Sequence, residues 1–413
     1  MLLIANPAAP YSRGLRVARS LAAAGYDVEI AATTGDGQPA EERDGDILIR
    51  RYQPTGRWGR FAGEAPRRHR TGVRGRLGHW LDTAVKVVAW PVHVRGWWAA
   101  LDRELPPADL YHAFGILTIA PAIRLAAAAR RQGRSGRTVY DVIDVILESN
   151  NYDRVPRPVL AVYRAIERRW IRASDAVVTV NDPIADHLAE TWPVRERPTV
   201  LLNCQPRWTP PEPRPDHLRA ATGLGADARI VLFLGRLGRE RGLEEAAEAV
   251  LRVPGAVLVL MGFGPWADRL RERDRDPRFA GRHFTLPPVH PDDVASWTAS
   301  ADVSILAVPA NSLNQRLSTP NKFWESLTAG TPVVVGRDLE VMCGIVEEER
   351  VGVAADPADP TDLARALATL IDLPEDDRLA IRERCLRITS ERYNWETAVG
   401  PYLELVRTLV PPL

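Results

Sequence analysis

Residues Arg229–Val250 read RIVLFLGRLGRERGLEEAAEAV: an apolar run from Ile230 to Leu234, a loop of glycines and arginines, then an amphipathic segment opening at Leu243. A short apolar run stopped by glycine suits a strand covered on both faces, and the 3.6-residue period behind it suits a helix laid back over that strand. The unit repeats downstream, with AVLVLMG, HFTL, DVSILAV, TPVVVG and VGVAA as further strands and helices opening near Leu243, Pro265, Pro291, Asn321 and Pro360. Upstream, LLIAN, DVEIAAT, DILIRRY, DLYHAF, RTVYDVI, AVVTV and TVLLN read as strands of another such sheet, separated by helices such as Arg13–Ala24. Between the two series, five of the ten residues Pro206–Pro215 are proline, and neither a helix nor a central strand continues through them. The expected architecture is therefore α/β, with two doubly wound, parallel, Rossmann-like domains facing each other across a cleft at the carboxyl ends of their strands. The expected limits are 1–205 for the first domain, 206–216 for a proline-rich linker and 217–390 for the second domain. A C-terminal helix over 391–413 is expected to pack back on the first.

Composition agrees with a folded two-domain chain. Of 413 residues, 45% are apolar and 26% charged, and Lys plus Arg (54) balances Asp plus Glu (53) to a net charge of +1. No global field gathers nucleic acid or an anionic surface, so any polyanion is met locally. Lys86 and Lys322 are the only lysines; every other cation of that set is arginine. Three widely spaced cysteines, Cys204, Cys343 and Cys385, suggest neither a disulfide framework nor a zinc site, and point to a reducing cytoplasm. MLLIANPAAP reads as a first strand, not a signal peptide. Ala84–Ala100 is interrupted by Lys86, Pro91, His93 and Arg95 and falls short of the roughly 18 apolar residues of a membrane span. A cytoplasmic protein, peripheral at most to the inner face of the membrane, is expected.

Between Arg50 and Arg76 stand nine arginines against one acid, Glu64, with Trp58 and Phe61 among them and Trp80, Trp90, Trp97 and Trp98 following. Three readings stand side by side: a solvated loop whose tryptophans pack on the first sheet, an acceptor-side element or peripheral membrane contact running from Arg50 to Trp98, and, last, a nucleic-acid contact, which the charge balance does not favour.

Chemistry concentrates in the second half. In STPNKFWESLTAGTPVVVG (Ser318–Gly336), Pro320 and Asn321 open a helix whose exposed N–H groups and dipole suit a phosphate. Lys322 offers a compact cation beside that anion. Glu325, one turn on, is placed to accept both hydroxyls of a ribose. Arg236 and Arg241, in the loop after RIVLFLG, can clamp a diphosphate and stabilise it as a leaving group. Gly262 and Gly264 of MGFGPWADRL form a GxGxxA pattern; no acid follows the next strand to hold an adenosine ribose, so they read as room for a ligand and not as a dinucleotide fingerprint. Asp44/Asp46 and Asp274/Asp276 lie in polar turns without His or Cys, so no metal site is expected. Neither a GxSxG elbow nor a phosphate-binding P-loop occurs.

Taken in order, GRLGRERGLEEA, GFGPWADRL, HPDDVASWTASADVSIL and PNKFWESLTAGTPVVV resemble the nucleotide-sugar-binding half of glycosyltransferase family 4, whose fold is GT-B. YDVIDVILESN, IRASDAVVTVND and TVLLNC extend the resemblance over nearly the whole chain. It implies an acceptor-side first domain and retaining, metal-independent transfer from a nucleoside-diphosphate sugar to a small-molecule, glycan or lipid-linked acceptor. It further implies that Arg236 and Arg241 hold the diphosphate, Glu325 the ribose, and Val289 and His290 the base. Where the family has the first glutamate of a pair this chain has Leu317, so sugar contacts fall to Ser318, Thr319, Pro320 and Asn321. Where many members have a histidine this chain has Ile143. Asp141, Asp144 and Glu148 are then the acidic candidates, Asp141 and Asp144 equally readable as turn caps. His112, at the end of DLYHAF, is either catalytic or structural, and Gly14, in the first strand-to-helix turn, would approach the donor. Two rivals remain: an epimerase of related build, and a silent donor-binding partner subunit.

Overall fold

The computed structural model describes residues 1–8, 12–35, 37–53, 95–150, 152–153 and 155–411. They form two compact units, one of Met1–Leu147, Asn151–Val200 and Pro401–Leu413, the other of Glu148–Asn150 and Leu201–Gly400.

The first unit is built on β1 (Leu2–Ile4), β2 (Glu29–Thr33), β3 (Glu41–Asp44), β4 (Ile47–Tyr52), β5 (Leu110–Phe114), β6 (Arg137–Val142), β7 (Ala176–Thr179) and β8 (Thr199–Val200). Their order in the sheet is β3-β4-β2-β1-β5-β6-β7-β8. Leu2 of β1 lies opposite both Ile30 of β2 and His112 of β5, so the chain winds outward from β1 in both directions. Leu2, Leu3 and Ile4 are at most 1% exposed, as expected of a strand with helices over both faces. One pair departs from the expected parallel rhythm: β3 runs antiparallel to β4, Asp44 facing Ile47 across a turn at Gly45 with φ +60°. Its EERD sequence has no apolar residue to mark it, and its charges protect the open edge of the sheet.

The second unit contains β9 (Arg229–Arg236), β10 (Ala256–Phe263), β11 (His283–Leu286), β12 (Val303–Leu306), β13 (Val333–Gly336) and β14 (Gly352–Ala355). All are parallel in the order β11-β10-β9-β12-β13-β14. Alternate residues of β9 serve opposite faces: Val231 and Phe233 join one buried cluster with Leu243, Leu363 and Leu367, whereas Ile230, Leu232 and Leu234 join another with Val259 and Met261.

The chain leaves the first unit at Val200, ahead of the proline-rich stretch. That stretch is fastened to the second unit, where Arg207 Nε donates to the Ser390 carbonyl (2.9 Å) and Arg214 Nε to the Ala299 carbonyl (2.7 Å). At the other end the helix expected over 391–413 is shorter: the chain stays with the second unit to Gly400, and from Pro401 the helix Gly400–Leu409 belongs with the first, burying Tyr402 there. Among the described residues no helix is long and apolar enough to cross a membrane.

Candidate functional site

In the second sheet the strand order reverses between β9 and β12, and such a switch point opens a crevice at the carboxyl ends of the strands. Local sequence shapes this one closely. β9 ends at Arg236, and the turn behind it closes at Gly242 (φ +67°), where a Cβ would stand 2.1 Å from the Ala307 carbonyl oxygen after β12. On the other side Gly262 and Gly264, with φ of 158° and 150°, face the backbone of β9. A Cβ would lie 1.8 Å from the Gly235 oxygen at Gly262 and 2.2 Å from the Leu237 oxygen at Gly264. Both glycines are thus required by the neighbouring strand, before any ligand is considered.

Three cations converge here. Lys322 holds its ammonium 4.2 Å from the centroid of the Phe233 ring on β9. Burial first, and then the charge of Arg241, lower it to about 7 against the opposing pull of Glu325. The Arg241 guanidinium is likewise lowered, by burial and then by Arg236, with Glu240 acting the other way. Arg236 itself is exposed. Lys322 thus lies in the field of Arg241, and Arg241 in that of Arg236, a positive field that an anion relieves.

Lys322 and Glu325 are carried by the helix Asn321–Thr328, entered through Pro320 (φ −69°, ψ 156°). Its inner face is fixed by Phe323 and Trp324, both fully buried, with Trp324 stacked on Tyr393 at 5.2 Å. Asn203 Nδ2 donates to Asn321 Oδ1 at 2.6 Å and holds the first residue of the helix. Thr319 is buried, while Ser318 Oγ donates to the Gln315 carbonyl at 3.2 Å. After β11, Val289 packs against the cluster of Val259 and Met261, and the exposed His290 caps the turn Pro291–Asp293. Leu317, buried, ends the helix Leu313–Leu317.

The first unit treats its candidates differently. Asp141 on β6 is fully buried and receives both arms of Arg13, Nε to Oδ2 at 2.9 Å and Nη2 to Oδ1 at 3.0 Å. His112 Nε2 is 3.3 Å from the same Oδ2, and His112 Nδ1 is 2.8 Å from the Tyr402 hydroxyl. Burial pushes the Asp141 carboxyl up, yet Arg13 and His112 outweigh it and hold the group below its ordinary value. Burial lowers His112 against the opposing pull of Asp141; since a carboxylate only accepts, Nε2 is the donor toward Asp141. Asp141 therefore caps no turn but anchors a sealed network; Arg13, its main partner, was not singled out from sequence, because an arginine opening a helix looks like a surface residue. Asp144 lies exposed beyond β6, and Glu148 ends the short turn Ile146–Glu148. Gly14 is buried inside the first turn of the helix Ser12–Ala23, not in a loop before it.

Of the basic, aromatic stretch, residues 54–94 lie outside the described residues, Trp58, Phe61, Trp80 and Trp90 among them. Arg50 pairs with Glu41 (2.9 Å) and Glu29 (3.2 Å), and the buried Arg51 ties the Pro7 and Pro39 carbonyls together (2.9 and 2.8 Å). Trp97 is buried and donates to the Ala32 carbonyl at 3.1 Å, and Trp98 donates to the Leu117 carbonyl at 3.0 Å, so both belong to the packing of the first unit. No His, Cys, Asp and Glu cluster fit for a metal ion occurs among the described residues. Asp44 instead pairs with Arg19, and Asp274 with His283.

Two family models match the chain: "Glycosyl transferase 4-like domain" over residues 12–204 and "Glycosyl transferases group 1" over residues 228–373. A D-inositol 3-phosphate glycosyltransferase of Xylanimonas cellulosilytica is 30% identical over 254 residues, 58% of either chain. The aligned stretches span about half the length of the first curated relatives, 58%, 52% and 46%. Among solved structures, the sucrose-phosphate synthase of Thermosynechococcus elongatus superposes with a TM-score of 0.69 at 18% identity, covering 99% of this chain and 98% of that one. HepE of Anabaena, solved in complex with UDP, gives 0.67 at 15% identity, covering 98% and 99%. These likenesses run the full length of the chain and identify its fold as GT-B.

Proposed function

The chain belongs to the group 1 and 4-like glycosyltransferases, and on that premise we propose that it moves a sugar from a nucleoside-diphosphate donor to an acceptor with retention of configuration. The observation that carries the proposal is the meeting of Arg236, Arg241 and Lys322 at the switch point of the second sheet, with Glu325 on the helix behind them. A diphosphate supplies the negative charge that this cluster lacks. Arg236 and Arg241 stabilise it further as the glycosidic bond breaks and charge grows on the leaving oxygen. Lys322 and the N–H groups at Asn321 hold the other oxygens. Glu325 accepts the ribose hydroxyls, Val289 and His290 border the base, and the backbone from Ser318 to Asn321 meets the sugar.

Three cations and a helix end do the work that a divalent ion performs elsewhere, so transfer proceeds without metal. The acceptor, a small molecule, a glycan or a lipid-linked sugar, falls to the first unit, and the reaction is cytoplasmic. A peripheral membrane contact within the stretch from Arg50 to Trp98, whose ends Arg50, Arg51, Trp97 and Trp98 are taken up by the first unit itself, is compatible with a lipid-linked acceptor.

Incubation with nucleotide sugars, a set of acceptors and EDTA tests the proposal by release of nucleoside diphosphate. Acceptor-dependent release that survives EDTA supports it, and a strict need for Mg²⁺ or Mn²⁺ overturns the metal-free leaving group. Ile143 and Leu317, in place of the histidine and glutamate that the family resemblance implies, favour one second reading: a subunit that binds donor and does not turn it over. Nucleotide binding without release under any acceptor would select it.

A further inference from the structure

β10 ends on an exposed ring. Its residues Ala256 to Gly262 are buried, whereas Phe263, the last, is 61% exposed, the one aromatic residue among the large apolar side chains that stand exposed in the described residues. An exposed apolar residue is ordinary by itself; this one is set apart by how firmly it is held. Gly262 and Gly264 flank it with their backbone pressed against β9 and the residue behind it, so closely that neither position has room for a Cβ. The Leu237 N–H donates to the Phe263 carbonyl at 2.8 Å, and the Trp266 N–H donates back to the Leu237 carbonyl at 3.2 Å. The loop is thus tied down at Phe263 and just beyond it. Its ring stands on a fixed backbone, which lowers the ordering cost of any contact it makes.

Register gives the ring its surroundings. Phe263 pairs with Arg236 at the carboxyl ends of β10 and β9, and two residues earlier Met261 pairs with Leu234 in the cluster on which Val289 packs. In sheet order β10 lies between β9, which ends in Arg236, and β11, whose following loop carries Val289 and His290. The helix Asn321–Thr328 follows β12, on the other side of β9. A nucleoside diphosphate with its phosphates at Arg236 and its sugar toward Ser318 to Asn321 therefore runs its nucleoside over β10 toward β11. Two strand intervals span about 10 Å, comparable with the reach of a nucleotide from its diphosphate to its base. A flat apolar ring on that path suits a flat base, since an aromatic side chain stacks on any base whatever hydrogen bonds its edge can make. We infer, on the donor site proposed above, that Phe263 is the platform on which the base of the donor nucleotide stacks. The contact supplies affinity without choosing among bases.

Calorimetric titration of the 413-residue chain and its variants with UDP, GDP, ADP and dTDP tests this. Phe263→Ala should weaken each nucleotide that the native protein binds by about 5- to 150-fold, the range of one aromatic stack on a base, and leave their order of preference unchanged. Phe263→Tyr, which keeps the ring, should bind within about threefold of native, whereas Phe263→Leu, apolar but not flat, should lose nearly as much as alanine. Thermal unfolding should be unchanged in all three, since the side chain is largely exposed. An affinity untouched in Phe263→Ala, or lost as fully in Phe263→Tyr as in Phe263→Ala, overturns the stack and leaves the donor site standing. A changed order of preference overturns it too, since Phe263 would then act on one base and not on all. Absence of binding by the native protein and the variants alike overturns the donor site itself, and the stack with it.

Discussion

Asp141→Asn separates a sealed structural network from a catalytic acid. In the native chain the carboxylate receives two guanidinium bonds from Arg13 and one from His112, with Arg13 and Asp141 at most 1% exposed. Asparagine keeps the volume but loses the charge and turns an amide toward the guanidinium, leaving a buried cation without its partner. Breaking a buried pair from one side costs about 3–5 kcal/mol. For a unit of this size that corresponds to a fall of roughly 6–20 °C in its unfolding temperature. Arg13→Met together with Asp141→Leu removes both charges and should recover most of the loss. The pH dependence has a fixed sign. Because the folded carboxyl is held below its ordinary value of 3.8, its contribution is present above that pH and is lost only as the pH falls through the lower folded value. The gap between native and asparagine proteins should therefore stay constant through neutral pH. Calorimetric unfolding, beside transfer activity per folded molecule, is the assay. An Asp141→Asn protein as stable as the native one but inactive would refute a structural role and return Asp141 to the acceptor chemistry.

Other consequences concern the second unit. Gly264→Ala should destabilise it by on the order of 3 kcal/mol or more, since the new methyl would sit 2.2 Å from the Leu237 oxygen, and a normal urea midpoint would contradict that contact. Lys322, lowered to about 7 in the free protein, should regain its proton beside a diphosphate. Nucleotide affinity should then fall by up to about tenfold per pH unit above 7, with proton uptake visible by calorimetry in buffers of different ionisation heat; Lys322→Arg should flatten the profile. Arg236→Ala and Arg241→Ala should each lower kcat about 10²- to 10³-fold with smaller changes in KM, and a pure KM effect would reduce them to ground-state contacts. Arg241→Lys should be milder than Arg241→Ala.

Much of the fold was legible because the strands of a doubly wound sheet announce themselves. RIVLFLG, AVLVLMG and TPVVVG are continuous apolar runs stopped by glycine or proline, and each became a buried strand. EERD did not, since an exposed edge strand needs charge where periodicity looks for apolar residues. The cation cluster of the second unit was legible for a related reason. Arg236 ends a strand and Lys322 opens a helix, both recognisable in the sequence, beside the switch point of the sheet. The buried network of the first unit was not. His112 and Asp141 were visible as isolated polar residues at strand ends, but their partners lie 128 residues (Arg13 to Asp141) and 290 residues (His112 to Tyr402) apart, and no local spacing links them. Gly262 and Gly264 were visible as a pattern, but the close approach that demands them, from the backbone of Gly235 and Leu237, was not.

Calorimetric titration of the 413-residue chain with UDP, GDP, ADP and dTDP addresses the central claim most directly, that the crevice at β9 and the Asn321 helix is a nucleotide-diphosphate site. One of these nucleotides should bind at one site per chain, without added metal. Glu325→Ala should weaken it by roughly 1–3 kcal/mol, as expected when a ligand's hydroxyl pair loses its charged acceptor. Absence of binding by all four, or an affinity untouched in Glu325→Ala, would contradict the assignment.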